Sequence, residues 1–190
     1  MAYYTEPELE AMGFKYIGKN VKISDKASIY NCDMIEIGDR SRIDDFCVIS
    51  GKIKIGKFVH IAPLCLLAGG EKGITMSDFS GAAYGVKIFT QSDDYNGKTL
   101  TNPTISDQFK NETKKEIYIG KHSIIGAGSV ILPGVILAEG TSVGAMSMVT
   151  KSTVEWSIYF GIPAKKIKNR SKELLALEQE FLQSLENDTL

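Results

Sequence analysis

The chain has 190 residues, of which 43% are hydrophobic, and a formal net charge of −1. This length predicts a single domain over residues 1–190, and the near-neutral charge argues against a general attraction to nucleic acids or anionic membranes. The opening MAYYTEPELE lacks the basic and apolar segments of a signal peptide, and no apolar run is long enough to cross a bilayer. We therefore expect a cytoplasmic protein with no membrane insertion.

A short helix is predicted over residues 5–13. Thr5 and Glu8 have the spacing of a capping box, Pro7 suits the first turn of a helix, and Gly13 is a typical C-terminal stop. Arrays of repeats need a terminal cap. We expect this helix to cover the open end of the repeats that follow it.

Between Ile17 and Val154 apolar residues recur every six positions, with one slip of phase after Ile29, a second after Leu67 and a longer interruption described below. Residues 119–154 show this most clearly, as the blocks IGKHSI, IGAGSV, ILPGVI, LAEGTS, VGAMSM and VTKSTV. Helices have an apolar period near 3.6 and strands a period of 2, whereas a period of six is typical of β-helices, with three blocks in each triangular coil. The chain is therefore predicted to be all-β, with a parallel β-helix of about six coils over 17–154, stacked about 4.8 Å apart.

A polar segment interrupts the repeat at residues 89–118. It contains Asn-Gly and Asn-Pro turn signals, and a loop of this length inside a regular array is usually functional or disordered. The phase of the blocks predicts that it leaves a corner between the fourth and fifth coils. We expect this protruding loop to reach a neighbouring subunit.

The last segment, residues 171–187, is predicted to form an α-helix. Its apolar stripe at helical spacing consists of Leu174, Leu175, Leu177, Phe181 and Leu182. The sequence leaves open whether this stripe packs on its own coils or on a partner.

The six-residue blocks, the loop and the tail GIPAKKI at 161–167 together resemble the hexapeptide-repeat acyltransferases. This resemblance covers nearly the whole chain and implies a left-handed β-helix, a homotrimer and acetyl-CoA or another acyl-CoA as co-substrate, with no metal. The stretch TQSDDYNGKTLTNPTI resembles a branch that acylates sugars for surface polysaccharide, such as lipopolysaccharide O-antigen. Those acceptors are often amino sugars carried on a nucleotide.

The resemblance also implies a coenzyme A site. Ala127 and Ala145 match small residues that border the pantetheine arm in galactoside-type relatives, and their spacing of eighteen residues stacks them one coil apart. A narrow arm needs exposed backbone without bulky side chains. Thr150 matches a polar contact near the adenine, and Lys165 and Lys168 match positions that hold phosphates. Small turn residues and a solvated basic tail are the alternative explanations.

The start of the loop lacks the histidine that many relatives use there as a general base. It has Asp93 and Asp94 instead, followed by Tyr95. A sugar hydroxyl needs a strong base, whereas a sugar amine titrates not far above neutral, so a carboxylate pair favours an amine acceptor that it binds and orients. Adjacent residues on an extended segment point to opposite sides, so one of the two carboxylates should face the acceptor. An Asp-Asp turn without catalytic function is the alternative.

Three further residues are candidates at this site. His122 should project outward beside the root of the loop, near Asp93, as a possible base or as a corner residue without function. Tyr84 and Tyr95 could stack on a sugar or base, or pack at an interface.

Three functions remain in competition. An N-acyltransferase acting on a nucleotide-linked amino sugar is favoured, and the alternatives are O-acetylation of a sugar hydroxyl and a non-catalytic binding or assembly module. A zinc lyase of the γ-carbonic-anhydrase type needs three histidines, and the chain has two. The sequence does not identify the sugar, its carrier or the length of the acyl chain.

Overall fold

Three flat faces of short strands form a triangular prism in the computed structural model, which describes residues 2–187. Face 1 consists of β1 (Tyr16–Ile17), β4 (Ile35–Ile37), β7 (Ile53–Ile55), β10 (Ile74–Met76), β15 (Ile117–Ile119) and β18 (Ile136–Leu137). Face 2 consists of β2 (Lys22–Ile23), β5 (Arg42–Ile43), β8 (His60–Ile61), β11 (Gly81–Ala82), β16 (Ile124–Ile125), β19 (Ser142–Val143), β21 (Ser157–Gly161) and β22 (Ala164–Asn169). Face 3 consists of β3 (Ser28–Ile29), β6 (Val48–Ser50), β9 (Leu66–Ala68), β12 (Lys87–Phe89), β17 (Val130–Ile131) and β20 (Met148–Val149).

The predicted left-handed parallel β-helix is confirmed. Residues 16–149 make six complete coils, and β21 begins a seventh. Each strand pairs in parallel with the strand one coil above, for example Ile43 with Ile61 and Ile125 with Val143. The residues that open the blocks form a continuous apolar column along the prism axis, and they are almost completely buried except Ile17 and Ile29 of the first coil, which are partly buried.

At each corner between two faces, residues of successive coils stack in a column. A corner residue with left-handed backbone, such as Phe58 or Leu64, turns the chain from one face to the next. Its N–H donates to a carbonyl one coil below, as the N–H of Leu64 does to the carbonyl of Asp45. We name the corners by the faces they join: the 1–2, 2–3 and 3–1 corners.

Both ends of the repeat carry additional elements. Helix α1 (Glu6–Ala11), shorter than the predicted range 5–13, inserts the buried Leu9 into the core at the N-terminal end. The Thr5 N–H donates to the Glu8 carboxylate, as in a capping box, and the Thr5 hydroxyl donates to the same carboxylate. At the other end β21 and β22 form an antiparallel hairpin, so the sheet continues beyond the predicted limit at Val154.

The C-terminal helix α2 (Leu174–Asn187) begins three residues later than predicted and packs on its own coils. Phe181 contacts the rings of Phe58 and Phe79 with centroids 5.4 and 6.4 Å apart. Met1 and residues 188–190 of the predicted domain lie outside the described residues. No helix within 2–187 is long and apolar enough to span a membrane.

The protruding loop leaves the 3–1 corner between the fourth and fifth coils, as the phase predicts. Phe89 and Ile117 still belong to strands, so the excursion proper covers residues 90–116. Its root is a short antiparallel ribbon, β13 (Gln91–Ser92) with β14 (Thr113–Lys114), and a 3₁₀ turn at Asp107–Phe109 lies further out. Another 3₁₀ turn, Cys32–Met34, links the first two coils.

Candidate active site

A column of corner residues runs up the 2–3 corner. Ala145 lies directly above Ala127, as shown by the hydrogen bond of 2.8 Å from the N–H of Met146 to the carbonyl of Ala127. Ala127 lies above Tyr84, whose carbonyl accepts from the N–H of Gly128 at 2.8 Å. Ala145 is exposed and Ala127 half-buried. The two alanines therefore form an open strip without bulky side chains, which we call the alanine slot.

Apolar side chains from the tail border the upper end of the alanine slot. The ring of Phe160 lies over Gly144, where a β-carbon would collide with it. The N–H of Gly161 donates to Ser147 Oγ at 3.0 Å and holds the hairpin turn against this corner. Phe160 and Ile162 are both largely exposed. The sequence did not point to Phe160, because the six-residue period stops before it, and Ile162 was included only as part of the tail 161–167.

The predicted phosphate-binding lysines lie in the same hairpin. Lys165 and Lys168 are exposed on β22, where they pair with Phe160 and Ile158 respectively. Thr150 does not border the slot: it follows β20 at the 3–1 corner, at the other end of face 3 from Ala145. The structure thus places Lys165 near the two alanines, Lys168 further along β22 towards the 1–2 corner, and Thr150 outside this region.

The loop carboxylates have different surroundings. Asp94 Oδ1 accepts from the N–H of Asn96 at 2.8 Å, so this carboxylate caps the turn at the loop tip. That backbone hydrogen bond is the main reason why the pKa of Asp94 lies below its ordinary value. Asp93 Oδ1 accepts from the N–H of Asn102 at 3.2 Å. Its side chain also borders a cavity of about 370 Å³ that Phe89 and Glu112 help to line.

The alanine slot and the loop carboxylates are at different corners of one chain. The slot is at the 2–3 corner, where the face 3 strands begin, and the loop leaves the 3–1 corner, where those strands end. Tyr95, at the loop tip, is 91% exposed. A single chain therefore presents the two halves of the predicted site separately.

The expected position of His122 was wrong. It lies at the 1–2 corner, 7% exposed, stacked on Phe79 with ring centroids 5.3 Å apart. Its Nε2 is 2.8 Å from Glu178 Oε2 of α2, and Arg170 donates to its carbonyl. The six-residue phase places a residue at a corner but does not show that a helix 56 residues later covers it. His122 therefore pairs with Glu178 and not with Asp93.

The other histidine lies on face 2. His60 Nε2 is 2.8 Å from Oδ2 of the buried Asp44, which the Arg42 guanidinium also contacts. Within residues 2–187, no group of three or more His, Cys, Asp or Glu side chains is placed to hold a metal ion.

The ion pairs of Glu178 should make the docking of α2 depend on pH. Burial alone would raise the pKa of Glu178, but Lys121 at 2.6 Å and His122 outweigh it and hold the pKa below the usual 4.5. The stabilisation is therefore present above the unfolded-state pKa and is lost as pH falls through the lower folded-state pKa. We expect Glu178→Gln to lower the free energy of unfolding by about 1–3 kcal/mol at pH 7.

Chemical denaturation at pH 7 and pH 3 measures this effect. Towards pH 3 the difference between the wild type and Glu178→Gln should shrink, because the wild-type carboxyl takes up a proton as the pH falls through its lowered folded-state pKa. Glu180→Gln, on the exposed side of the same helix, is the control and should have little effect at either pH. Equal destabilisation by Glu178→Gln at both values would contradict the proposed charge interaction.

Comparison with known proteins identifies the family. The model for the bacterial transferase hexapeptide (six repeats) matches residues 116–151. Over the full length of both chains, this protein is 46% identical to a dTDP-4-amino-4,6-dideoxy-D-glucose acyltransferase from Escherichia coli. The chain belongs to the hexapeptide-repeat acyltransferases.

Solved structures of this acyltransferase family agree closely with the prism described above. AntD, an N-acyltransferase from Bacillus cereus, in complex with dTDP and 3-hydroxybutyryl-CoA superposes with a TM-score of 0.95 at 48% identity, covering 97% of this chain and 98% of AntD. An AntD variant in complex with dTDP-4-amino-4,6-dideoxyglucose and coenzyme A gives a TM-score of 0.94 at 48% identity, covering 96% and 97%. These likenesses confirm the predicted reaction class, acyl transfer from an acyl-CoA to a sugar.

Proposed function

We propose that this acyltransferase forms an amide on the amino group of a dTDP-linked 4-amino-4,6-dideoxy sugar, with an acyl-CoA as donor. The observation that carries the proposal is the full-length likeness to a dTDP-amino-sugar acyltransferase and to AntD, which binds dTDP and acyl-CoA. The carboxylate pair of the loop supports an amine acceptor. The product would serve surface polysaccharide such as O-antigen, and the enzyme would work in the cytoplasm.

The alanine slot suits the acyl donor. A pantetheine arm is narrow and amide-rich, and the small side chains of Ala127 and Ala145 let it approach the corner backbone. Above the slot, Phe160 and Ile162 offer apolar contact. Lys165 and Lys168, exposed on the neighbouring strand, supply point charges for the phosphates of coenzyme A.

The loop carboxylates suit the ammonium form of the acceptor. The pKa of Asp94 is lowered, so this group remains anionic at neutral pH and is a poor proton acceptor. Its role is to hold and orient the amine. The free amine nitrogen attacks the thioester carbonyl, a C–N bond forms, the C–S bond breaks, and coenzyme A leaves as a thiolate. The departing thiolate and solvent take the two protons that the ammonium loses.

A homotrimer brings the two halves of the site together. Within one chain the slot and the loop are separated by the width of face 3, whereas the loop of a second copy can reach a slot that its own chain's loop does not. A rotation axis parallel to the prism also keeps the coils of all copies at the same height. We therefore place each active site between two protomers.

A thiol-release assay tests the proposed reaction. The enzyme should release coenzyme A from acetyl-CoA with dTDP-4-amino-4,6-dideoxyglucose and not with dTDP-6-deoxyglucose, the matched acceptor with a 4-hydroxyl group. Mass spectrometry should find the acyl group as an amide on the sugar. Transfer to the hydroxyl acceptor alone would instead establish the O-acyltransferase alternative, and release with neither acceptor would contradict the proposal.

A further inference from the structure

Tyr84 occupies the same register position as the two alanines of the slot. All three are the third residues of blocks that open on face 2, at Ala82, Ile125 and Val143. The hydrogen bond from the Gly128 N–H to the Tyr84 carbonyl places Tyr84 directly under Ala127, although the two are 43 residues apart in the chain. The protruding loop accounts for this separation. The column therefore changes, over one coil, from alanine to a side chain with an aromatic ring.

Within residues 2–187 the Tyr84 side chain makes no hydrogen bond and no ring contact. It is 64% exposed, and within residues 2–187 its hydroxyl has no hydrogen-bond partner. The left-handed backbone that this corner needs is supplied by the next residue, Gly85, with φ of 67°. Neither packing nor backbone conformation thus requires a tyrosine. Its ring is free to contact a molecule lying in the column above it.

The height of Tyr84 matches the reach of coenzyme A. Lys165 and Lys168 lie on β22, four strand steps of about 4.8 Å above β11, so their backbone is about 19 Å above the level of Tyr84. The turn at Gly161 ends β21, which is three steps, or about 14 Å, above that level. A pantetheine arm has about as many backbone bonds as four residues and therefore extends about 14 Å. An arm that starts at the level of β21, towards which the flexible lysine side chains extend from β22, therefore brings its thioester to the level of Tyr84. Asp93 and Asp94 also leave from the fourth coil, through β12.

We propose that the Tyr84 ring closes the lower end of the alanine slot and limits the acyl group to a short chain. This inference rests on the proposed function, because it assigns the position of the acyl-CoA thioester. The carbons beyond the thioester carbonyl continue down the column and meet the ring. Acetyl fits above it, whereas a four-carbon chain collides with it. The enzyme thus selects acetyl-CoA over butyryl-CoA and 3-hydroxybutyryl-CoA.

Substitution of Tyr84 tests this inference against a series of donors. Acetyl-, propionyl-, butyryl- and 3-hydroxybutyryl-CoA are compared by kcat/KM with dTDP-4-amino-4,6-dideoxyglucose as acceptor. We expect Tyr84→Ala to raise the ratio of butyryl to acetyl transfer at least about 10-fold, since one methylene in a pocket changes selectivity about 10- to 200-fold. Tyr84→Phe keeps the ring and should keep the wild-type ratio.

Tyr30→Ala is the matched control. Tyr30 is also exposed but follows β3 in the first coil, three coils below Tyr84. This variant should keep the wild-type donor ratio, and thermal melts should show that all three variants are folded.

Two results would overturn the role of Tyr84. In one, the wild type uses butyryl-CoA as well as acetyl-CoA. In the other, Tyr84→Ala leaves the donor ratio unchanged and raises the KM of the acceptor, which would place the ring against the sugar or base. Failure of the proposed function is distinguishable, because the wild type would then transfer no acyl group from any donor to the amine.

Discussion

Replacing Ala145 with tryptophan should weaken coenzyme A binding by at least about 100-fold, which corresponds to about 2.7 kcal/mol. The Ala145 side chain is exposed in the alanine slot, directly above Ala127 and beside the apolar turn of the tail. An indole at this position fills the strip through which the pantetheine arm would pass. Because the side chain points away from the core, the prism itself should remain folded.

Calorimetric titration with coenzyme A measures this loss. Ala145→Ser is the conservative variant, since a hydroxyl is nearly as small as a methyl group, and it should retain most of the affinity. Ala11→Trp places the same bulk at the end of α1, at the opposite end of the prism, and should bind normally. Normal affinity in Ala145→Trp would show that coenzyme A does not use the alanine slot.

The regular part of the fold was predictable because one short-range rule is repeated through it. Isoleucine, leucine or valine opens most blocks and fills the axis, so phase alone predicted the faces, the coil at which the loop leaves, and the stacking of Ala127 on Ala145. Tyr84 follows the same rule. As the third residue of its block, it belongs to the column of Ala127 and Ala145. The blocks after the loop resume the same phase, so the sequence alone could have predicted that position.

The irregular parts were not predictable by that rule. His122 was correctly placed at a corner, but its burial depends on α2, which docks through Glu178 and Phe181. The sequence shows that this helix has an apolar stripe but does not show which surface the stripe packs against. Thr150 was carried over from the family resemblance, and its block position already put it at the corner after β20. The turn at Gly161 reverses the chain after the six-residue period has ended. No sequence pattern therefore predicted that the exposed Phe160 lies beside the slot.

Changing Asp93 and Asp94 together to asparagine should lower kcat/KM for the amine acceptor by about 10- to 100-fold, the range expected for losing hydrogen bonds to a charged group. Asparagine keeps the oxygen that accepts from the N–H of Asn96 or Asn102, so the loop should keep its conformation. The charge that holds the ammonium is what is lost. The affinity for acyl-CoA should be unchanged, because the slot is at another corner.

Steady-state kinetics together with coenzyme A titration separates these two effects. Asp107→Asn is the control: its side chain is exposed in the same loop, where it pairs with Lys110. Because the pKa of Asp94 lies below its ordinary value of 3.8, this carboxylate is anionic throughout pH 5–9, and any change of the loss with pH in that range should follow the titration of the acceptor amine. Normal turnover in the double variant would remove both aspartates from the mechanism.

The same two variants together test whether the active site is shared between protomers. Ala145→Trp destroys the slot and keeps the loop, whereas the double asparagine variant keeps the slot and loses the carboxylates. Each variant alone should keep only its reduced activity. Mixed trimers, co-expressed with two different tags and purified on both, contain sites in which an intact slot meets the intact loop of the other variant. Activity should therefore return in the mixed fraction. If each chain instead completed its own site, every site would carry a defect, and the mixed trimers would be no more active than the two parents.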